Sequence, residues 1–530
     1  MSTSAPVRSS LEPYAVHPVQ QYLIDAADRW PSKIAIIDGD RRFTFSEINA
    51  HSDRFAAALA DMGVKKGDRV GLIAPNCAEF EIAFFGVLKT GAIVTTLNSG
   101  YREREIAHQI NNSRASILIV HDSLLEIAEA AKPLLDNPPE IVAIYPNGID
   151  PTSFWARIAA APSRAPDVEI DPMNDLAVLP YSSGTTGLSK GVMLTHYNLT
   201  SNVEQFLRRS GEIAQPEPED VVLVHLPLFH IYGMNVIMNP GIAIGNLQIM
   251  MGRFDMDLLL NLMEQHSVSL LYTAPPVLVA LSQYPRLKEH NLSALRCMMI
   301  GAAPLSAELQ TRVSEVTGIP SIQGYGMTEA SPVTNLDFAD AERGLPGSVG
   351  PATADTEQKV VDLDAGTTEL PIGEEGELLI RGPQIMKGYF DDPEATAETL
   401  TSDGWLHTGD IARVDENGYV WIVDRKKELI KYSGFQVPPA ELEGLLLEHD
   451  GVADCAVIAK QDGQSGEIPK AFVVRAKGSS VDGEELMAFV AERVATFKQV
   501  REVEFIDAIP KNPSGKILRR VLVEQERAKA

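Results

Sequence analysis

Cysteine is scarce in this chain. It has only three, Cys77, Cys297 and Cys455, and no two of them form a CxxC pair. A disulfide framework and a thiolate zinc site are both disfavoured, because each needs several cysteines at fixed spacings. We therefore expect all three to be small buried side chains in a reducing compartment.

Positive charge is also in short supply. Lys and Arg number 46 against 72 Asp and Glu, which gives a formal net charge of −26. Nucleic acids and anionic membranes attract proteins through basic surfaces, so neither is expected as a general partner. An anionic ligand would have to be met by a local group of cations or by backbone amides.

Long apolar runs are missing as well. No uncharged apolar stretch is long enough to span a bilayer. The first residues, MSTSAPVRSSLEPYAVHP, lack the apolar segment of a secretory signal, and the last, ERAKA, are not a peroxisomal address. We expect a cytoplasmic protein with no membrane span.

The order of strand-like and helix-like stretches predicts the fold class. With 530 residues, two or more domains are expected. Up to Asp424, stretches such as DRVGLIAP, EFEIAFFGVLK and AIVTTL alternate, which predicts a large layered α/β domain with mostly parallel sheets. After it, GVADCAVIAK, KAFVVRA, EELMAFVAERV and REVEFIDAI predict a small α+β domain. We place the boundary between Asp424 and Arg425, which gives domains of residues 1–424 and 425–530.

One early helix is predicted in detail. Ser46 is its expected N-cap, and the helix is expected to stop at Gly63. Its apolar face is expected to consist of Ile48, Phe55, Leu59 and Met62.

A glycine-rich loop, YSSGTTGLSKG, occupies Tyr181–Gly191 and follows the apolar stretch LAVLP. Glycines allow backbone amides to turn inward as an anion nest, and the hydroxyls add hydrogen-bond donors. Lys190 supplies one mobile positive charge. Phosphate is the ligand that this chemistry fits, although the spacing is not that of a Walker A loop.

Further motifs follow this loop in a fixed order: LPLFHIYGMN, QGYGMTE, WLHTGD, DRKKELIKYSGFQ and NPSGKILRR. Together they resemble the ordered motifs of the acyl-adenylate-forming superfamily, which includes acyl-CoA synthetases, peptide-synthetase adenylation domains and beetle luciferases. The resemblance runs from about residue 18 to about residue 525. It is strongest with 4-coumarate–CoA ligases, which carry near-identical HIY, QGYGMTEA and KYxGFQV segments.

The resemblance implies a two-step ligase. A carboxylic acid attacks ATP to give acyl-AMP and pyrophosphate, and the thiol of CoA then displaces AMP. The implied cofactors and co-substrates are ATP, Mg²⁺ and CoA. Residues 1–424 would bind AMP and the acyl group, and residues 425–530 would form a mobile cap that swings about Asp424 between the steps.

The resemblance also implies roles for individual residues. Lys516 would bridge the carboxylate and the α-phosphate, Glu329 would bind Mg²⁺, and Asp410 would accept both ribose hydroxyls. With His230 and Lys431, Lys516 and Glu329 form the implied catalytic set. The implied ATP and AMP contacts are Ser182, Ser183, Gly184, Thr185, Thr186, Gly187, Lys190, Gln323, Gly324, Tyr325, Thr328, Asp410, Arg425, Lys427, Lys431, Gln436 and Lys516.

The implied CoA contacts are Arg253, which would meet the phosphates, and Ser433 and Gly434, which would line the pantetheine tunnel. Many 4-coumarate–CoA ligases carry lysine where this chain has Ser433, which puts contact with CoA by that side chain in doubt. Ser189 stands where proline is common, which should only loosen the turn.

The acyl pocket is implied to be apolar and elongated. His230, where peptide-synthetase domains carry aspartate, argues against an amino-acid substrate. Gly326, where acetyl-CoA synthetases carry tryptophan, is expected to open a slot for acids longer than acetate. Aryl-propenoic and medium-chain aliphatic acids both stay open. The implied lining is His230, Tyr232, Val236, Ala302, Gly324, Gly326, Pro332, Val333 and Leu336.

Alternatives remain at this point. An acyl-AMP ligase that loads a carrier protein would share all these motifs. A luciferase-like monooxygenase would share the adenylation step, and an inert binding module would share the fold, although intact Lys516, Lys431 and Glu329 argue against the latter. The physiological acid and a homodimeric state are left open.

Overall fold

A computed structural model describes residues 8–146, 150, 152–182, 189–208, 215–303, 305–339, 342–432, 435–462, 465–512 and 515–529. Its largest element is a mostly parallel sheet with an antiparallel strand at each edge. In spatial order the strands are Val333–Leu336, Ser321–Gly326, Cys297–Ile300, Leu270–Thr273, Val221–Val224, Leu247–Met250, Ile34–Asp38 and Arg41–Thr44. The central strands are short apolar runs buried on both faces, as expected where helices cover a parallel sheet.

A second sheet of the same kind lies beside it, parallel except for one edge strand. Its strands, in spatial order, are Leu194–Thr195, Leu176–Val178, Ile93–Thr96, Arg69–Ile73, Ile117–His121 and Glu140–Ile144. One hydrophobic core contains side chains from both sheets, for example Val70 and Val94 of this one and Val222 and Val224 of the other. The predicted α/β layers are confirmed.

The helices of these layers connect the strands and cover the sheets. They are Gln21–Arg29, Phe45–Asp61, Ala78–Lys89, Glu103–Ser113, Leu125–Ala131, Phe154–Ala160, His196–Leu207, Asn239–Ile244, Met256–Gln265, Pro275–Ser282 and Ala307–Thr317. A further helix, Pro393–Thr399, connects two strands of the antiparallel sheet described below. A π-helical turn, Gly233–Met238, leads into Asn239–Ile244.

The predicted N-cap at Ser46 is wrong. The helix begins at Phe45, and Thr44 is its cap: the Thr44 hydroxyl accepts from the Glu47 amide, and the Glu47 carboxylate accepts from the Thr44 amide. This reciprocal capping box satisfies two backbone donors at once. Ser46 is not the cap because the helix already begins at Phe45, so Ser46 lies within its first turn. The helix ends at Asp61, and Gly63 follows with a φ of 91°.

An antiparallel sheet leads from the α/β layers to the C-terminal part of the chain. Its strands are Glu357–Val361, Gly376–Arg381, Leu406–Val414 and Val420–Arg425. The last of these strands ends at the predicted boundary, so the chain leaves the sheet at Arg425.

The C-terminal part has its own sheet and its own core. The strands are Phe435–Val437, Ile430–Tyr432, Gly466–Arg475, Val452–Asp462 and Glu502–Phe505, and the helices are Pro439–Glu448, Gly483–Ala491 and Arg519–Arg527. A hydrophobic cluster centred on Leu442, Val473 and Leu486 draws all its members from residues after Arg425. This separate core supports a small C-terminal domain, and the boundary at Asp424–Arg425 stays a prediction.

Two expectations about composition can be compared with this fold. Cys77, Cys297 and Cys455 are all buried, as expected. Within the described ranges, no helix combines the length and the apolar character needed to cross a bilayer.

Candidate active site

A cavity of about 2520 Å³ lies between the α/β layers and the C-terminal part. It opens at the carboxyl ends of the parallel strands Leu270–Thr273, Cys297–Ile300 and Ser321–Gly326, where open α/β sheets commonly bind ligands. Pockets for one small ligand usually enclose about 300–1,000 Å³. This cavity is therefore large enough for more than one substrate.

Asp410 lies on the polar wall of the cavity, between two other side chains. The Tyr325 hydroxyl donates to Asp410 Oδ2 at 2.6 Å, and Arg425 Nε lies 3.5 Å from Asp410 Oδ1. Asp410 and Arg425 are cross-strand partners in the antiparallel sheet, so backbone register places them together. Burial raises the pKa of Asp410, and the charge of Arg425 opposes that rise. A buried carboxylate in this setting is suited to accept hydroxyl hydrogen bonds from a ligand.

Lys516 reaches the same cavity from the C-terminal part. Its backbone amide donates to Asn512 Oδ1 at 2.8 Å, and the Leu518 amide donates to Pro510 O at 2.8 Å, which closes a tight loop. Burial first, and Arg425 second, lower the pKa of Lys516 to about 8, while three carboxylates act in the opposite direction. Those carboxylates are Glu428, Asp410 and Glu329. Lys516 is thus close to Asp410 and Arg425, to the candidate metal ligand Glu329, and to Glu428 in the turn after Arg425.

Glu329 is a buried carboxylate in the short helical turn Thr328–Ala330. Its Oε1 accepts a hydrogen bond from the Tyr389 hydroxyl at 2.9 Å. Across the described ranges, no three His, Cys, Asp or Glu side chains come together as a metal site. Glu329 therefore fits Mg²⁺ as a single hard oxygen ligand whose other ligands would be phosphate oxygens and water, the usual arrangement for this ion.

The two ends of the glycine-rich loop form a small antiparallel ladder, Tyr181–Ser182 with Lys190–Gly191. Ser182 and Lys190 line the cavity. Lys190 Nζ lies 3.4 Å from Asp392 Oδ2 and 5.3 Å from the centre of the Tyr389 ring. Ser183, Gly184, Thr185, Thr186 and Gly187 lie outside the described residues, so the cradle itself stays a prediction.

Gln323 lines the cavity, but its amide group is already engaged. Its Nε2 donates to Leu305 O at 3.0 Å and to Gln310 Oε1 at 2.8 Å. Because an amide nitrogen has two donors, only the carbonyl oxygen of Gln323 is left for a ligand. Gly324, Thr328 and Lys427 also line the cavity.

His230 and Tyr232 also line the cavity. His230 Nδ1 accepts from the Tyr232 amide at 3.2 Å, and the Tyr232 hydroxyl donates to Met299 O at 3.1 Å. Burial, aided by the positive charge of Lys516, lowers the pKa of His230 to about 4, so His230 is neutral at pH 7. A neutral imidazole can approach an apolar acyl chain at little electrostatic cost.

The rest of the predicted acyl lining also borders the cavity, and we call these residues its apolar end. These residues are Val236, Ala302, Gly324, Gly326, Pro332, Val333 and Leu336. Sequence reasoning missed Phe206, Phe229 and Met299, which line the cavity as well. Phe206 lies in the helix His196–Leu207 and belongs to no motif, so nothing in the sequence separated it from ordinary core.

The structure gives a second reason for glycine at position 326. A Cβ built at this position would lie 2.1 Å from the carbonyl oxygen of Pro332 and 2.8 Å from its carbonyl carbon. Glycine is therefore needed for the close approach of two antiparallel backbone segments. Gly326 also lines the cavity, and the slot expected from its missing side chain stays a prediction.

Some predicted residues are not brought to the cavity. Lys431 and Arg253 are exposed and do not contribute to its wall. Ser433 and Gly434, together with the side chain of Gln436, lie outside the described residues. Asp424 does line the cavity and is buried, with its carboxylate accepting from the amides of Arg425 and Ala440.

Comparisons with known proteins agree with this geometry. A family model described as AMP-binding enzyme matches residues 23–390, and one described as AMP-binding enzyme C-terminal domain matches residues 441–516. The chain is 41% identical over 512 residues to 4-coumarate–CoA ligase 5 of Oryza sativa subsp. japonica, covering 95% of this chain and 94% of that one.

Solved structures with the same fold include two enzymes with bound nucleotides. One is the anthranilate CoA ligase AuaEII in complex with anthranoyl-AMP, with a TM-score of 0.89 and 27% identity, covering 97% of this chain and 98% of that one. The other is ATP-bound MatB from Rhodopseudomonas palustris, with a TM-score of 0.87 and 31% identity, covering 97% and 100%. By its matched family models and its relatives along nearly the whole chain, the protein belongs to the AMP-binding enzyme family and, within it, to the AMP-forming acid–CoA ligases.

Proposed function

We propose that the protein joins an apolar carboxylic acid to CoA, either an aryl-propenoic acid such as 4-coumarate or a medium-chain aliphatic acid. The observation that carries the proposal is the lining of this large cavity. The charged residues Asp410, Arg425, Glu329 and Lys516, which we call its charged wall, line the same cavity as the apolar residues of the predicted acyl lining. An acid whose carboxylate meets the charged wall would place its apolar body among side chains that offer burial and few hydrogen bonds.

The charged wall supports acyl-AMP formation at this position. A carboxylate anion and ATP repel each other, so cations and oriented donors must neutralise both before they can react. Lys516 is one of the cations that line the cavity from the C-terminal part, and Arg425 lies beside Asp410. We assign Lys516 to the acid and α-phosphate, and the Asp410–Tyr325 pair to the ribose.

Glu329 is the residue that would hold Mg²⁺. When bound, the ion would neutralise phosphate charge during the first step. The Tyr389 hydroxyl fixes one oxygen of this carboxylate, so the ligand is already oriented before nucleotide binds. Lys190, from the foot of the glycine-rich loop, adds a positive charge to the same wall.

The relatives favour the aryl-propenoic acid. Eight of the relatives found by sequence are 4-coumarate–CoA ligases at 38–41% identity. The apolar end of this cavity, with Tyr232, Val236 and Leu336, agrees with a flat aromatic acid. It agrees equally with an alkyl chain, because methylene groups are distinguished by only about 1–3 kcal/mol in an apolar pocket.

A panel of acids tests the proposal. Purified protein would be given ATP, Mg²⁺ and CoA with 4-coumarate, cinnamate, hexanoate, octanoate, acetate or phenylalanine, and AMP release would be measured. We expect kcat/KM to be highest for an aryl-propenoic or medium-chain acid and lowest for acetate and phenylalanine. A preference for acetate or the amino acid would contradict the proposed pocket.

The acceptor needs a separate measurement. Acid-dependent pyrophosphate release with no AMP release on addition of CoA would instead favour transfer to a carrier protein. The same assay with a phosphopantetheinylated carrier protein would then distinguish that outcome from an inactive preparation.

A further inference from the structure

The loop that carries Lys516 is held at both ends by ion pairs. At its start, Lys511 Nζ lies 2.6 Å from Asp454 Oδ2, and Lys511 and Ile517 are bridged across the loop. At its end stands Arg519, three residues after Lys516 and the first residue of the last helix. The position of Lys516 therefore depends on what these two ends contact.

Arg519 makes the more extensive contacts of the two. Its Nη1 lies 2.5 Å from Glu428 Oε2, its Nη2 lies 2.5 Å from Glu443 Oε2, and its Nε donates to Val457 O at 3.3 Å. The Arg519 side chain is only 17% exposed, and those of Glu428 and Glu443 are 16% and 10% exposed. All three guanidinium nitrogens are thus engaged in a site with little water, where charge-assisted hydrogen bonds are strongest.

The two carboxylates come from the segment next to the predicted hinge. Glu428 lies in the turn immediately after Arg425, and Glu443 lies in the helix Pro439–Glu448. Asp424 is bound to the start of that helix, because its Oδ2 accepts from the Ala440 amide at 2.8 Å. Arg519 therefore connects the Lys516 loop to the turn and the helix that follow Asp424.

We propose that Arg519 is a positioning residue for adenylation, which holds the Lys516 loop at a fixed place relative to the hinge segment through Glu428 and Glu443. The inference rests on the proposed role of Lys516. When the C-terminal part closes on the cavity, this connection makes the lysine arrive at the same point each time. Without it, the loop keeps its backbone hydrogen bonds and the partly exposed Lys511–Asp454 pair, and ion pairs of that kind are weak.

A purely structural role is the competing explanation, because removal of one member of a buried ion pair destabilises most folds. The two explanations differ in which half-reaction suffers. Loss of folded protein lowers both half-reactions by the same factor. Displacement of Lys516 lowers only the step that uses Lys516.

The experiment compares Arg519→Met with the double variant Arg519→Met/Glu443→Gln. The double variant also neutralises Glu443, the more buried of the two carboxylates that would otherwise lose their partner, so it keeps the test valid if the single variant does not fold. Arg296→Met is the matched control, because Arg296 Nη2 lies 2.5 Å from Asp220 Oδ2 in a partly buried ion pair of the α/β layers. Two rates are measured with 4-coumarate as the probe acid: acid-dependent ATP–pyrophosphate exchange, and formation of 4-coumaroyl-CoA from supplied 4-coumaroyl-AMP and CoA.

We expect both Arg519 variants to lose about 100-fold in pyrophosphate exchange, the size of effect that a displacement of about 1 Å can cause. Thioester formation from supplied acyl-AMP should fall far less. Arg296→Met should lower thermal stability and should change the two rates by equal factors. In a Lys516→Ala background, Arg519→Met should cause no further loss of exchange, because there is no longer a lysine to position.

Equal losses in the two half-reactions would overturn the positioning role, and so would an undiminished effect of Arg519→Met in the Lys516→Ala background. Absence of acid-dependent exchange in the unmodified protein, with 4-coumarate and with octanoate, would overturn the proposed function and this inference together. Exchange by the unmodified protein therefore distinguishes a failure of the proposed function from a failure of the positioning role alone.

Discussion

Two lysines of the C-terminal part, Lys516 and Lys431, lie in opposite surroundings. Lys516 lines the cavity, and burial together with Arg425 lowers its pKa to about 8. Lys431 is exposed on the strand Ile430–Tyr432 and does not contribute to the cavity wall. A single placement of the C-terminal part thus puts one lysine on the cavity wall and leaves the other outside it. The difference teaches that, if both lysines act on substrates, they act in different placements of that part.

The largest effect is expected from Lys516→Ala. This change removes the cation that would sit between the carboxylate and the α-phosphate, so acid-dependent pyrophosphate exchange should fall by at least about 100-fold. Thioester formation from supplied acyl-AMP should be largely kept. Stopped-flow or quench measurement of each half-reaction checks this, and equal losses would remove the distinction between the two lysines.

A second effect is expected in the pH dependence of exchange. The pKa of Lys516 is about 8, below the 10.5 of an ordinary lysine, so the protonated form predominates only below pH 8. If the charge is needed, exchange should decline about tenfold per pH unit above pH 8. Lys516→Arg, which stays charged, should lose this decline even if it is slower overall. A decline at the same pH in both proteins would assign the titration to another group.

Lys431→Ala should have a smaller effect, and on the other step. Because Lys431 is outside the cavity in this arrangement, its removal should leave exchange nearly unchanged. Thioester formation should fall, by about 10-fold if one charge-assisted hydrogen bond is lost. An exchange rate reduced as far as that of Lys516→Ala would show that the exposed position of Lys431 does not represent the adenylating arrangement.

The smallest effect is expected from Glu428→Gln. The Glu428 carboxylate is the foremost of the charges that raise the pKa of Lys516, ahead of Asp410 and Glu329. Neutralising Glu428 should lower the pKa of Lys516 further. The decline of pyrophosphate exchange at alkaline pH, which is the basic limb of the pH profile, should therefore move to lower pH. The midpoint of the limb is the quantity to measure, since the rate also depends on how Arg519 is held. A midpoint that moves upward would contradict the charge arrangement around Lys516.

Much of the fold, and many of the candidate ATP and Mg²⁺ contacts, could be predicted from the sequence. Residues such as Asp410 and Glu329 lie in short motifs, WLHTGD and QGYGMTE, whose order along the chain follows the order of the strands that carry them. The capping box at Thr44 was also readable, because Glu47 follows it by three residues. Ser46 also carries a hydroxyl, but it lies inside the helix that Thr44 caps.

The remaining features depend on contacts between distant segments. The need for glycine at position 326 arises from the backbone of Pro332, and the hydroxyl of Tyr389 reaches Glu329 from 60 residues away. Arg519 meets Glu428 and Glu443 across 91 and 76 residues. Residue type and spacing do not encode such contacts, so neither the role of Tyr389 nor that of Arg519 could be inferred before the fold was known.

A reversible crosslink tests most directly whether the two steps need two placements of the C-terminal part. A Cβ built at Gly444, in the helix Pro439–Glu448, would lie 3.8 Å from Ser306 Cβ in the α/β layers. That separation is typical of a disulfide. The chain's own three cysteines are buried, so Gly444→Cys/Ser306→Cys should form the new bond selectively.

The measurement is the pair of half-reaction rates of this variant, oxidised and then reduced. We expect the oxidised protein to retain acid-dependent pyrophosphate exchange and to lose thioester formation from supplied acyl-AMP by orders of magnitude, with recovery on reduction. An oxidised protein that forms the thioester as fast as the reduced one would contradict the need for a second placement.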